Sequence, residues 1–247
     1  MARAERKGAE GPVPRVVLFD MDDTIFDHSL TCRAALGSLR RDYDVLDGRS
    51  LDEVWGEYER LLGITHTDVM LGRRTSQEVR AERFRRLARW AGRPVSAARA
   101  DELSRVYREN YQRLRRAVPG APDTVRRWHE RASVAVVTNN TVQEQVEKIA
   151  FLGLTGAVDL LVTSEEVGVA KPGREIFRAA LARAGARARE AVMVGDSWSS
   201  DVVGARRAGI RPVWFNRFGE TPGDGAAVPE FRSFRTPRRL DRMLVGR

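Results

Sequence analysis

Five stretches of the chain are apolar at successive positions rather than at alternate ones: RVVLFD (15–20), SVAVVTNN (133–140), VDLLVTS (158–164), AVMVGD (191–196) and RPVWFN (211–216). A strand apolar on both faces belongs in a parallel sheet covered by helices on each side. The intervals between the later runs carry helical periodicity of crossover length. Residues 141–152 follow the capping box Thr141-x-x-Glu144, residues 173–185 end at Gly185, and residues 199–209 end at Gly209. The alternation predicts repeated β-α units and an α/β fold with a doubly wound parallel sheet. PEFRSFRTPRRLDRML, near the end, adds an edge strand and a closing helix with Thr236 as cap and Pro237 in its first turn.

One interval breaks the alternation. From about Asp27 to Ala117 no strand pattern occurs, and four helical patterns fill the space: residues 30–42, residues 51–62 behind Ser50-x-x-Glu53, residues 76–91 behind Thr75-x-x-Glu78, and residues 97–117. Pro119-Gly120 punctuates the end of this insertion. The organisation expected is a loose, basic N-terminal arm over residues 1–14, a core built from residues 15–26 and 119–247, and a helical insertion over residues 27–118.

Chemistry collects where the apolar runs stop. The first run drives four large apolar residues into DMDDT, and neighbouring carboxylates repel one another and resist burial unless something positive lies between them. In an open parallel sheet, ligands bind at the carboxyl ends of the strands. Those ends carry Asp20 and Asp22, then Thr138 and Asn139, then Asp196 with Asp201 close behind. Lys171, one of only three lysines in the chain, sits in the loop VGVAKPG after the third run. Carboxylates converging from separate strands suit a hard cation such as Mg2+, which keeps waters for a phosphate to replace.

Composition adds limits. A net charge of +9 raises nucleic acid as a partner, but RAERFRRLARW and SRVYRENYQRLRRAV mix arginine with glutamate at helical spacing, the pattern of a solvated helix face. The expectation is no nucleic-acid partner and, with no apolar run of spanning length and no secretory leader, a cytoplasmic protein without a membrane partner. Cys32 has no thiol partner and is read as a helix-packing residue; His28, His66 and His129 lack metal-like spacing.

DMDDT (20–24), the strand-end Thr138, Lys171-Pro172 and GDSWSSD (195–201) together resemble the four ordered motifs of the haloacid dehalogenase-like superfamily, from about Arg15 to the end of the chain. The helical insertion resembles that superfamily's first type of cap, and FDMDDTIFDHS is similar to its phosphatases of small phosphorylated metabolites, including nucleoside monophosphates. The resemblance implies an α/β fold with a Rossmann-like core and an inserted four-helix cap domain. It implies Asp20 as nucleophile, Asp22 as general acid and base, and Thr138 with Asn139 holding the phosphoryl group while Lys171 offsets charge. It implies Mg2+ held by Asp20, by the backbone carbonyl of Asp22 and by Asp196, with Asp201 in support. Asn139-Asn140 departs from the frequent Asn-Gly of the family, which bears on loop shape.

Plainer roles compete at several positions: Asp23 capping a turn, Thr24 ending a loop, Asp201 answering a helix dipole, Trp198 and Phe218 as packing or rim residues. At the level of function, a dehalogenase would not need Asp22, a phosphomutase would differ mainly in the cap, and a silent nucleic-acid-binding or scaffold protein should have lost one of the core residues. The expected partner is a small phosphorylated substrate acting on a monomer or homodimer. Its recognition is expected in the cap segment THTDVMLGRRT (65–75), through Arg73 and Arg74.

Overall fold

The computed structural model describes residues 12–223 and 225–246, so most of the arm expected over residues 1–14 lies outside the described residues. Strand β1 (Val16–Phe19) is buried along its whole length. It lies at the centre of a six-stranded parallel sheet of order β3-β2-β1-β4-β5-β6, with β2 Ser133–Thr138, β3 Leu160–Thr163, β4 Ala191–Gly195, β5 Arg211–Phe215 and β6 Glu230–Phe231. Val16 pairs with Ser133 on one side and Ala191 on the other, so the ends of β1, β2 and β4 come level at one edge.

The continuous apolar runs follow from this placement. Val17 and Phe19 face one cluster with Val134, Val136 and Val194, whereas Val16 and Leu18 face another with Val137, Ile176 and Phe177. Side chains alternate across a strand, so only a sheet covered on both faces asks for apolar residues at every position. Each such side chain contributes roughly 1.5–3 kcal/mol on burial.

The insertion between β1 and β2 holds α1 (His28–Asp42), α2 (Leu51–Thr65), the single turn α3 (Thr67–Met70), α4 (Ser76–Trp90) and α5 (Ala97–Arg113). The capping boxes at Ser50 and Thr75 close in both directions. Tyr58, Phe84 and Tyr107 form the aromatic centre of this layer, with ring centroids 5.2 to 6.0 Å apart. Helix α5 stops short of residue 117 because the chain is needed elsewhere. The Asp27 amide donates to the Arg116 carbonyl at 3.0 Å and the Val118 amide to the Ile25 carbonyl at 2.8 Å, so the outgoing and returning chains pair side by side.

The remaining helices are α6 (Ala121–His129), α7 (Val142–Phe151), the short α8 (Ser164–Val167), α9 (Arg174–Arg183), α10 (Val203–Arg207) and α11 (Pro237–Leu244). Helix α6 is absent from the sequence-based expectation. It starts at Gly120, which takes φ 83° and lies so close to Phe234 that a Cβ would sit 3.1 Å from its carbonyl carbon. The helix expected over residues 199–209 begins as a wide π-turn, Trp198–Val202. The box expected at Thr141 is half-formed: Thr141 Oγ1 accepts from the Glu144 amide, but the Glu144 carboxylate turns to Arg108 and Lys148 instead.

Candidate active site

At the end of β1 the chain turns sharply, with Asp23 at φ 62°, and this turn sends two carboxylates apart. Asp20 stays under the sheet edge, its amide still donating to Val194 O at 2.9 Å as a continuation of the β1–β4 pairing. Asp22 points the other way, toward α7 and the insertion. Asp23 does structural work: its carboxylate accepts from the Ser29 amide at 2.8 Å and from the Ser29 hydroxyl at 2.6 Å, tying down the start of α1. Thr24 joins two strand ends, donating to Asp196 Oδ1 and accepting from the Asp196 amide, each at 3.0 Å.

Lys171 is the centre of charge beneath the edge. Its Nζ donates to Asp20 Oδ1 at 2.5 Å, to Asp201 Oδ1 at 2.7 Å and to the Val137 carbonyl at 2.8 Å. Gly195 makes this possible, because a Cβ there would lie 2.2 Å from Asp201 Oδ2. Asp201 therefore faces the lysine and the Ser197 amide, not only a helix end. Carboxylate oxygens of Asp20, Asp196 and Asp201 all lie within 4.8 Å of one another.

One ammonium among three carboxylates leaves the cluster short of positive charge. Burial pushes the Asp20 carboxyl up to about 7 against the pull of Lys171, and burial with Asp20 and Asp201 pushes Asp196 well above the usual range. Burial would lower Lys171, yet Asp20 and Asp201 raise it. The close contact of Lys171 with Asp20 argues for an ionised pair, so the deficit rests on the third carboxylate. A hard, oxygen-seeking divalent cation fits this donor set, and Asp20, Asp196 and Asp201 could hold it. The sequence-based set placed the cation on Asp20, Asp196 and the backbone carbonyl of Asp22, with Asp201 in support; the side-chain carboxylates gathered here are those of Asp20, Asp196 and Asp201, while the Asp22 side chain turns to other partners.

Asp22 has its own partners. Lys148 Nζ donates to its Oδ1 at 2.6 Å, while Gln145 Nε2 and Asn140 Nδ2 donate to its Oδ2 at 3.1 and 3.2 Å. Burial works to raise this carboxyl, but Lys148 and then His28 hold it far below the usual carboxylate range. Lys148 is buried to 1% exposure and was missed in the sequence. A signal existed: Gln145, Lys148 and Ile149 on α7, with Leu152 at its C-cap, fall at helical spacing on one inward stripe, where two polar side chains need partners.

Thr138 is buried at the end of β2 beside Thr163. Asn139 locks the lysine loop in place, its Nδ2 donating to the Lys171 carbonyl at 2.9 Å and its Oδ1 accepting from the Lys171 amide at 2.7 Å. Trp198 packs edge-on against Trp214 with centroids 4.8 Å apart, and Phe218 is exposed.

A cavity of about 260 Å³ opens between this edge and the insertion, with Asp22, Asn139 and Asn140 on the sheet side and His28, His66, Arg80, Arg83 and Tyr107 on the other. The segment 65–75 reaches it through His66, Val69 and Met70. Arg73 instead faces Asp68 at 3.9 Å, and Arg74 faces Glu82 at 2.8 Å, bordering an adjacent cavity. His28 Nδ1 lies 2.9 Å from the Tyr111 hydroxyl and 3.7 Å from Asp22 Oδ1. Cys32 is buried on α1 with its sulfur 3.4 Å from His28 Nε2. His129 stands apart, beside Asp159.

Known proteins share this arrangement of the chain. A phosphoserine phosphatase of Thermus thermophilus is 31% identical over 88% of this chain and 94% of its own length. The pyrimidine 5'-nucleotidase YjjG of Escherichia coli is 30% identical over 85% of this chain and 90% of its own. The magnesium-bound crystal structure of the HAD-hydrolase YfnB from Bacillus subtilis covers 93% of this chain and 99% of its own with a TM-score of 0.76 at 24% identity, a likeness of fold. No described helix is long and apolar enough to cross a membrane. The family model for haloacid dehalogenase-like hydrolases matches residues 14–209, and the chain belongs to that family.

Proposed function

We propose that the protein hydrolyses a small phosphorylated metabolite through an aspartyl-phosphate on Asp20. The observation that carries this reading is the junction at the end of β1: Asp20 lies against Lys171 in a three-carboxylate cluster, while Asp22, two residues on, borders the cavity. The relatives act on different molecules by name, phosphoserine, pyrimidine nucleotides and glyceraldehyde 3-phosphate, and have phosphomonoester hydrolysis in common.

An Asp20 carboxylate oxygen attacks phosphorus and the P–O bond to the leaving alcohol breaks, with Asp22 giving its proton to the departing oxygen. Asp22 then takes a proton from the water that attacks the phosphorus of the acyl phosphate, releasing phosphate and restoring Asp20. Asp22 is ionised while Lys148 holds it, so taking up a proton there requires that contact to loosen as substrate enters. Lys171 offsets charge between nucleophile and phosphoryl oxygens, and the backbone after Thr138 can donate to the transferred group. Bound at Asp20, Asp196 and Asp201, magnesium would supply charge neutralisation for the incoming phosphate.

The test is phosphate release, with and without magnesium, across nucleotides, sugar phosphates and phosphorylated acids. Asp20→Asn should lower turnover by about 10³-fold or more and abolish phosphoenzyme trapping. A variant keeping a tenth of the parent rate, with deamidation excluded, would refute the covalent route.

A further inference from the structure

Arg80 and Arg83 stand one turn apart on α4 and both line the cavity. Arg83 is buried to 6% exposure, and its Nε and Nη1 donate to the Thr65 hydroxyl at 3.2 Å and the Tyr58 hydroxyl at 2.9 Å, both neutral acceptors. The other cations around the cavity are matched. Arg108 reaches Glu144 at 3.4 Å and Glu147 at 2.8 Å, and Lys148 reaches Asp22 at 2.6 Å and Glu144 at 3.5 Å. Among the described residues no carboxylate forms an ion pair with Arg80 or Arg83.

A guanidinium carries five N–H donors in a planar fork, and Arg83 spends two of them on hydroxyls. Taking such a group out of water without a counter-charge is expensive, and burial pulls the Arg80 guanidinium down accordingly. Two adjacent forks facing one cavity whose carboxylates, Asp22 and Glu144, are already held by Lys148 and Arg108 are arranged for an anion that arrives with the ligand.

We infer that the substrate carries, beyond its scissile phosphate, a second anionic group, a carboxylate or another phosphate, that docks on Arg80 and Arg83. The inference rests on the phosphatase reading and narrows it. Two further features favour a short acid over a nucleoside. The cavity, at about 260 Å³, is at the small end for ligand sites. Its tyrosines are spent on one another, with Tyr58–Tyr107 and Tyr107–Tyr111 centroids 5.3 and 6.2 Å apart and each ring buried, leaving no free platform for a base.

The experiment compares kcat/KM for matched esters in magnesium: phosphoglycolate against ethyl phosphate, 3-phosphoglycerate against glycerol 1-phosphate, fructose 1,6-bisphosphate against fructose 6-phosphate, with uridine monophosphate alongside. At least one doubly anionic member should exceed its neutral-bodied match by about 30-fold, and the carboxylate and bisphosphate arms tell the two anions apart. In Arg80→Gln that preference should shrink by roughly tenfold. Arg83→Gln strands two hydroxyls and can unfold the cap, so Arg83→Lys, which keeps the charge and loses the fork, is its companion and should also narrow the preference. Equal rates within every pair, a best rate on uridine monophosphate, or an Arg80→Gln preference equal to the parent's would overturn the inference and leave phosphatase activity standing. Release from none of the esters would overturn the phosphatase reading and this inference together.

Discussion

At the sheet edge, buried carboxylates have lysines of the chain against them, Lys171 against Asp20 and Asp201 and Lys148 against Asp22 and Glu144, with the charge of one carboxylate in the cluster left for a cation. In the wall of the insertion it is not, and Arg83 rests on two hydroxyls and the face of Tyr58, its guanidinium carbon 5.1 Å from the ring centroid. The edge is set before any ligand arrives, as suits groups that must meet phosphorus in one geometry. The wall keeps donors in reserve, as suits a surface that identifies what is attached to the phosphate. On the proposed function, the difference separates the part of the molecule that would perform the chemistry from the part that would choose its substrate.

The largest break in this contrast should come from Lys171→Met. Three carboxylates would then face one another with no ammonium, so turnover should fall about 10³-fold, and thermal stability should depend more steeply on magnesium than in the parent. Turnover within tenfold of the parent would show that the edge does not need its internal counter-charge.

Lys148→Met probes the seam between the two regions. Leaving Asp22 without its lysine should cost about 3 kcal/mol, read as a fall in Tm of roughly 6–12 °C for a chain of this size. An unchanged Tm would mean that Asp22 finds water as good a partner.

His66 sharpens the wall side with a smaller effect. Burial, then Arg83, push it down to about 4 from an ordinary value of 6.5. The unfolded chain therefore binds the proton more readily. The stability this residue contributes is complete above about pH 6.5 and is lost as pH falls toward 4. With discount for its partial exposure, His66→Leu should remove about 1 kcal/mol of acid destabilisation across that window, measured by urea unfolding at each end. Parallel pH curves for variant and parent would place the imidazole in water.

The edge was legible in the sequence because a parallel sheet forces it. Once RVVLFD, SVAVVTNN and AVMVGD are neighbouring parallel strands, Asp20, Thr138 and Asp196 must come level, whatever the loops do. Lys171 could be read because a lysine, rare in this arginine-rich chain, follows such a strand. Lys148 hid in a helix whose charged residues pass for a solvated face, and its register was needed to show that it turns inward. The insertion was harder for the same reason. Arg73 and Arg74 look like recognition residues in a loop, yet their side chains go to Asp68 and Glu82, while Arg80 and Arg83 share a helix with many outward arginines. Val79, Arg83 and Leu87 recur every four residues on the buried stripe of α4, and that periodicity is the only trace the sequence carries.

The paired backbone of Ile25–Asp27 and Arg116–Val118 has a bearing on descent. The chain leaves the core and returns to it at adjacent points, held by their own hydrogen bonds. Closing a longer excursion between such points costs only about 0.6 kcal/mol for each doubling of its length. Lineages can therefore lengthen, rebuild or exchange everything between the two crossings while β1 keeps its register with β2 and β4. A single catalytic edge can in this way pass through many substrate preferences without being reinvented.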